Sequence, residues 1–116
     1  MLPDTFKRLE DARVACVRIE SFVAGVTKAE FVKSDLLRSA VERQVEIIGE
    51  SLGRASATDP DVERRIPELR KIVGMRNRLI HGYDEVDYNI VWDVISAKLP
   101  ELRRQLESAL KAGPEG

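Results

Sequence analysis

The clearest helical signal lies in residues 37–55, LRSAVERQVEIIGESLGRA. Apolar residues recur there at intervals of three and four, as expected of one buried face of an α-helix. They are Leu37, Val41, Val45, Ile48, Leu52 and Ala55. The stretch contains no proline, which would interrupt a helix of this length. We therefore predict a long amphipathic helix over these residues.

A second apolar stripe lies upstream and predicts a helix that begins near Asp4 and ends at Gly25. The stripe consists of Leu9, Ala12, Cys16, Ile19 and Val23. Thr27 and Glu30 then have the spacing of a capping box, which predicts the start of a new helical turn. The pattern is compatible both with a helix that continues into residue 37 and with a break near residues 34–35.

Two further helical segments are predicted downstream of a loop over residues 56–61, SATDPD. The first has Pro67 in its first turn and ends at Gly82. Its apolar line is Val62, Ile66, Leu69, Val73, Arg76 and Ile80. Asp87 is expected to cap the next helix, and Pro100 to break or restart it. The apolar faces of these last two segments are Tyr88, Val91, Trp92 and Ile95, followed by Leu102, Leu106 and Leu110.

No window alternates apolar and polar residues long enough to predict a strand. The fold prediction is therefore an all-α, up-and-down bundle of four to five helices. A chain of 116 residues is expected to form a single domain over residues 1–116, with about residues 4–111 structured and residues 112–116 as a tail.

Composition excludes several classes of protein. No stretch approaches the ~20 apolar residues of a membrane span, and the N-terminus lacks the apolar core of a secretion signal. The 19 Lys and Arg residues are balanced by 20 Asp and Glu residues, so the chain is not expected to coat nucleic acid by bulk charge. The lone cysteine, Cys16, is expected to be a small core residue. A cytoplasmic location, with no membrane partner, fits these features.

Polar and cationic residues crowd the stretch 75–84, MRNRLIHGYD. Asn77 and His81 are four residues apart and share a helix face, so the amide can orient the imidazole. Arg78 borders the same surface. Arg76 instead falls on the apolar line, about 140° around the helix axis from His81. A guanidinium on that line needs a partner, because burying it alone is costly.

Arg76 and His81 are not expected to meet easily within one straight helix. A symmetric homodimer in which the two copies of this segment face each other would gather two histidines and two arginines in one cleft. Imidazole transfers protons near neutral pH, and arginine matches the geometry of a phosphate. Together they fit attack by an RNA 2′-hydroxyl on its neighbouring phosphate. This chemistry needs no metal ion, and none is predicted.

Each of these residues also has a simpler interpretation. His81 can cap a helix end, Arg76 can pair with Glu50 across a helix interface, and Arg78 can be a solvated charge. Tyr83 can be a packing residue with an exposed hydroxyl. The two remaining aromatic residues of this region are expected to pack in the core or at a dimer interface rather than stack on bases; they are Tyr88 and Trp92.

The spacing Arg76, four residues, His81, one residue, Tyr83 resembles the signature of HEPN-domain ribonucleases, and more narrowly of the HepT toxins. Asn77 directly after the arginine also fits that pattern. The likeness extends to residues 47–50, IIGE, although Ser51 stands where the family has alanine. It also includes Gly74-Met75, Val91-Trp92 and Leu99-Pro100, so that the resemblance covers roughly residues 4–110.

The resemblance implies a homodimeric, metal-independent endoribonuclease toxin that needs no cofactor and acts on RNA at a composite dimer cleft. Arg76 and His81 would be the catalytic pair, supported by Asn77, and we add Arg78 because it borders their surface. An antitoxin partner, an MntA-like nucleotidyltransferase, would transfer AMP to Tyr83, which lies just past Gly82. The alternative is a catalytically silent helical dimer that binds a nucleotide or the partner enzyme.

Overall fold

The computed structural model describes residues 1–81 and 86–114; the side chains of Ile80 and His81 lie outside that description. Its helices are α1 (Pro3–Val23), α2 (Lys28–Lys33), α3 (Asp35–Thr58), α4 (Asp61–Arg65), α5 (Leu69–His81), α6 (Tyr88–Ala97) and α7 (Leu99–Leu110). The described residues contain no strand, so the all-α prediction is confirmed. Five of the helices are longer than α2 and α4, which have 6 and 5 residues. The assignment of residues 1–116 to one domain stays a prediction.

The two long helices α1 and α3 form the centre of the fold. α1 packs along α3 on one side and along α7 on the other, and α3 also contacts α5. Both predicted apolar stripes lie largely in this core, where Leu9, Ile19, Val45 and Leu52 are fully buried. Cys16 is buried in the same core, as predicted, and its burial raises the pKa of the thiol to about 12.

The first and last long helices are joined by polar contacts as well as by their apolar faces. Arg103 on α7 donates from Nε to Glu20 of α1 at 2.6 Å and from Nη1 to Glu107 at 2.7 Å. These two bonds raise the pKa of the Arg103 guanidinium. Arg103 is therefore a contact between the two ends of the chain rather than a solvated charge.

Side-chain caps decide where the helices around α3 begin. Thr27 and Glu30 form the predicted capping box at the start of α2. Ser34 then resolves the alternative that the sequence left open: its hydroxyl accepts from the backbone N–H of Leu37 at 3.1 Å, so a new helix begins there. Asp87 caps α6, as predicted, by accepting from the N–H of Asn89 at 2.9 Å.

The predicted loop over residues 56–61 is wrong in length. Helix α3 continues through Thr58, and α4 begins at Asp61. Ser56 donates its hydroxyl to the carbonyl of Gly53 at 3.1 Å, and Thr58 donates to the carbonyl of Ala55 at 3.3 Å. These bonds occupy carbonyl groups in the last turns, so residues that favour loops are accommodated in a helix.

The predicted position of Pro67 in the first turn of a helix is also wrong. The structure divides the helical pattern that begins at Val62 into α4 and α5. Pro67 lies between the two helices instead of in a first turn. Proline lacks a backbone N–H and disfavours the helical conformation in the residue before it, here Ile66, whose φ is −123° and ψ 77°. Helix α5 begins at Leu69, two residues after the predicted start. The predicted end at Gly82 lies outside the described residues.

Candidate active site

Helix α5 carries the predicted catalytic segment and packs against α3. Its buried residues Leu69, Ile72 and Met75 belong to the core, and Val73 packs against that core while partly exposed. Arg76 follows on this side of the helix and is itself half-buried. The prediction that Arg76 continues the apolar line of α5 is therefore confirmed.

The position of Arg76 depends on a glycine of the neighbouring helix. A Cβ atom built at Gly49 would lie 2.5 Å from Cγ and 2.6 Å from Cβ of Arg76. Two carbon atoms cannot approach this closely without a shift of one helix or of the arginine. The absence of a side chain at Gly49 thus allows the stem of Arg76 to lie directly on the backbone of α3.

The Arg76 guanidinium has few polar partners. Its Nη1 donates to Oδ1 of Asn77 at 3.1 Å, while its Nε is buried without a hydrogen-bond partner among the described residues. No ion pair joins it to Glu50, which instead pairs with Arg54 at 3.0 Å. The alternative of an Arg76–Glu50 pair is therefore wrong. A half-buried cation without a carboxylate among the described residues is a favourable site for an anion.

The Asn77 side chain accepts a hydrogen bond from Arg76. The predicted contact of Asn77 with the imidazole of His81 lies outside the described residues, because the His81 side chain does. His81 is the last residue of α5. Its backbone position is about 140° around the axis from Arg76. Whether the two side chains meet in an assembly, and the role of Tyr83, which also lies outside the described residues, stay predictions.

Arg78 is exposed on α5 and has no acidic partner among the described residues. It lies on the wall of a groove between α5 and α6, which has a volume of about 610 Å³. The sequence pattern does not predict this groove. The signal for its α5 wall was only the recurrence of basic residues at positions 70, 71 and 78. The opposite wall is formed by α6, and the spacing of its apolar residues does not predict which of its faces lies beside α5.

The two aromatic residues of α6 have structural roles, as predicted. The Tyr88 hydroxyl donates to Glu42, and the Arg38 guanidinium carbon lies 4.6 Å from the centre of its ring. The bond to Glu42, with burial, raises the pKa of the Tyr88 hydroxyl. Trp92 packs on Phe31 of α2 with ring centres 5.3 Å apart. Both rings are therefore engaged in contacts within the chain.

The part of the chain that the structure describes contains neither a candidate metal site nor a helix that could span a membrane. No three His, Cys, Asp or Glu residues of this part of the chain lie close enough together to hold a metal ion. Within the same residues, no helix has the length and apolar character that crossing a bilayer requires.

Comparison with known proteins supports the sequence resemblance. The family model described as "Ribonuclease HepT-like" matches residues 12–109. A protein of Caldanaerobacter subterraneus subsp. tengcongensis named as a candidate RNase is 34% identical over 103 residues, which cover 89% of this chain and 91% of that protein. The "Probable ribonuclease HepT" of Thermococcus cleftensis is 35% identical over 106 residues, which cover 89% and 93% of the two chains.

A candidate RNase of Methanocaldococcus jannaschii is 30% identical over 95 residues, which cover 80% of this chain and 76% of that protein. No solved structure matches the chain significantly. The family match covers more than half of the residues, and it includes the segment with Arg76, Asn77 and His81. The chain therefore belongs to the HepT-like ribonuclease family.

Proposed function

We propose that this chain is an endoribonuclease toxin that cleaves RNA by attack of a 2′-hydroxyl on the adjacent phosphate, without a metal ion. The observation that carries the proposal is Arg76: its aliphatic stem lies on Gly49, its guanidinium is held by Asn77 at 3.1 Å, and it lacks a carboxylate partner among the described residues. Membership in the HepT-like ribonuclease family supports the same function. The nearly neutral chain then contacts RNA at a site rather than by bulk charge.

The proposed reaction needs two proton transfers and one cation. A base takes the proton of the 2′-hydroxyl as its oxygen bonds to phosphorus, and an acid gives a proton to the departing 5′-oxygen. The products are a 2′,3′-cyclic phosphate and a 5′-hydroxyl. His81 supplies an imidazole that transfers protons near neutral pH, and Arg76 stabilises the negative charge that develops on the phosphate. Asn77 holds the guanidinium by accepting its hydrogen bond. Arg78 adds a positive charge to the adjoining surface of α5.

The proposed site is shared between two copies of the chain. Arg76 and His81 lie about 140° apart around α5, so a single straight helix presents them in different directions. A two-fold arrangement of two α5 helices gives each arginine a histidine of the other copy. This geometry supports a homodimer with composite sites.

Purified protein is expected to cleave single-stranded RNA in the presence of EDTA at an unchanged rate. The 3′ end that each cut creates should carry a 2′,3′-cyclic phosphate, because the nucleophile is the substrate's own 2′-hydroxyl. Mass spectrometry of the fragments measures both the cleavage and the chemistry of the ends. A rate that disappears with EDTA, or fragments that carry only 5′-phosphate, would contradict the mechanism. RNA binding without cleavage under all conditions would favour the silent dimer instead.

The resemblance also supports regulation at Tyr83. We propose that a partner nucleotidyltransferase, an MntA-like antitoxin, transfers AMP from ATP to the hydroxyl of Tyr83, which lies two residues from His81. The tyrosine oxygen gives up its proton and bonds to the α-phosphorus as pyrophosphate leaves. An added nucleotide brings bulk and negative charge, which repel an RNA phosphate. Incubation with such a partner and ATP is expected to add the mass of AMP at Tyr83 and to suppress cleavage. Tyr83→Phe should keep its activity after the same incubation; modification of another residue would contradict the assignment.

A further inference from the structure

The groove between α5 and α6 is apolar at its floor and basic at its rim. Apolar side chains from α5, the segment before α6 and α6 itself form the floor, among them Met75, Leu79, Val91 and Val94. Ile90 also lines the groove and is 50% exposed, although it is a large aliphatic residue. An apolar surface of this kind is typical of a binding site.

The charges on the rim are almost all positive. Four basic residues line the groove, and Asp87 is the one acidic residue among its lining. The basic residues are Arg70, Lys71, Arg78 and Lys98. Arg70 pairs with Glu63 at 3.2 Å, and Asp87 is engaged by Asn89 as the cap of α6. The other three cations have no acidic partner among the described residues, so the groove complements an anion.

The position of the groove relates it to the proposed active site. Residues 70, 74, 78 and 81 recur at three- and four-residue intervals, so His81 occupies a position on the same face of α5 as the groove wall. Arg70 and Arg78 are about 12 Å apart along the helix axis, at 1.5 Å per residue. A nucleic-acid backbone that extends from the last turn of α5 can therefore follow this wall.

Gly74 stands midway along the wall. A Cβ atom built there would meet no other atom within 4 Å. The glycine is therefore not required by packing inside the chain, in contrast to Gly49. A glycine in a helix interior is less favourable than alanine, and its bare backbone allows a ligand to approach closely.

We propose that this groove binds the stretch of single-stranded RNA that flanks the scissile phosphate. Lys71, Arg78 and Lys98 contact phosphates, and the aliphatic floor takes the ribose and the faces of the bases. The proposal rests on the proposed ribonuclease function. A second copy of the chain is disfavoured as occupant of the groove, because two-fold pairing along it would bring two basic rims together. The two-fold contact proposed above is confined to the last turn of α5, around Arg76 and His81. An acidic protein segment is the competing anionic ligand, and the test below distinguishes it from RNA.

The test compares Gly74→Glu with Gly53→Glu, both in a His81→Ala background that does not cut its ligand. Both glycines lie in helices where a Cβ meets no atom within 4 Å, but Gly53 is on α3 and does not line the groove. Fluorescence anisotropy with a labelled RNA of about 12 nucleotides, within the usual range of single-strand sites, measures the Kd. We expect Gly74→Glu to raise the Kd about tenfold through bulk and like charge, and Gly53→Glu to leave it within about twofold.

The salt dependence gives a second measurement. Lys71→Ala combined with Lys98→Ala is expected to reduce the slope of log K against log salt concentration by about 1.4, or about 0.7 for each phosphate contact on a single strand. An unchanged slope, or equal Kd values for the two glutamate variants, would overturn the proposal. Poly-L-glutamate is the competing probe. If it binds the parent protein but not Gly74→Glu, while RNA binds both equally, the groove is assigned to an acidic protein segment.

A dinucleotide substrate separates this proposal from the proposed function. It fills the catalytic centre but does not reach the groove, so Gly74→Glu with His81 intact should raise the KM for the longer RNA several-fold more than the KM for the dinucleotide. If the unsubstituted protein cleaves neither substrate, the ribonuclease proposal fails, and the binding measurements still decide whether the groove holds RNA.

Discussion

His81→Ala is expected to lower the single-turnover rate of RNA cleavage about 10³-fold, because a positioned acid or base contributes roughly 10²–10⁴ to such a step. Arg76→Ala should lower it about 10²–10³-fold, since the guanidinium stabilises charge that develops on the phosphate. Arg76→Lys keeps the charge but loses the planar fork, so it is expected to restore little of the rate. The measurement is quenched-flow cleavage of a labelled RNA with EDTA present. Activity that persists in His81→Ala would contradict the mechanism.

Mixed dimers test whether the two groups act across the two-fold axis. A dimer of one Arg76→Ala chain and one His81→Ala chain retains one of its two composite sites, with an intact arginine from one copy and an intact histidine from the other. Because random assortment makes about half of the dimers mixed, we expect about a quarter of the unsubstituted activity from two inactive parents. Arg18→Ala, at an exposed position of α1, is the control and should not affect the rate. A mixture as inactive as its parents would contradict shared sites.

Gly49→Ala is expected to reduce cleavage about 10²-fold, because a displacement of about 1 Å in a catalytic group has effects of that size. The new Cβ would lie 2.5 Å from Cγ of Arg76, so the arginine or the helix must move. Overpacking should also lower the free energy of unfolding by about 1–3 kcal/mol. The loss is expected mainly in kcat, with KM little changed, since the arginine acts most strongly in the transition state.

Gly53→Ala is the matched control for this prediction. It lies one helical turn further along α3, where a Cβ meets no atom within 4 Å. The substitution is expected to raise the free energy of unfolding by up to about 1 kcal/mol through helix propensity, with cleavage unchanged. Urea denaturation and kinetics at a temperature where both variants are fully folded separate stability from positioning. Unchanged cleavage by Gly49→Ala would show that the close contact does not position Arg76.

Much of the fold could be predicted because its helices begin at residues with clear local signals. The Thr27–Glu30 capping box and the Asp87 cap form as their spacing predicts. Ser34 could not be decided from the pattern, because serine is compatible with a helix interior and with a cap; in the structure its hydroxyl caps α3. Helix α5 begins two residues after the predicted start at Pro67, since proline marks a helix boundary without fixing which side of it the helix occupies.

The site was predictable to a smaller extent. The register of Arg76 on the apolar line follows from helical spacing, and the structure places it there. The contact of Arg76 with Gly49 depends on where α3 and α5 cross. The spacing of residues within one helix does not predict that crossing point. The α5–α6 groove was missed for the same reason, because Lys71 and Lys98 are neighbours only through the packing of separate helices.

The contact of α7 with α1 has a consequence for how the protein is made. Four residues of the last helix complete the core: Leu99, Leu102, Leu106 and Ala109. Arg103 joins that helix to Glu20 near the end of the first one. A nascent chain cannot close this core until α7 has left the ribosome. Chains that stop before Leu99 are therefore expected to leave the face of α1 that α7 covers exposed to water, and to be degraded rather than to fold.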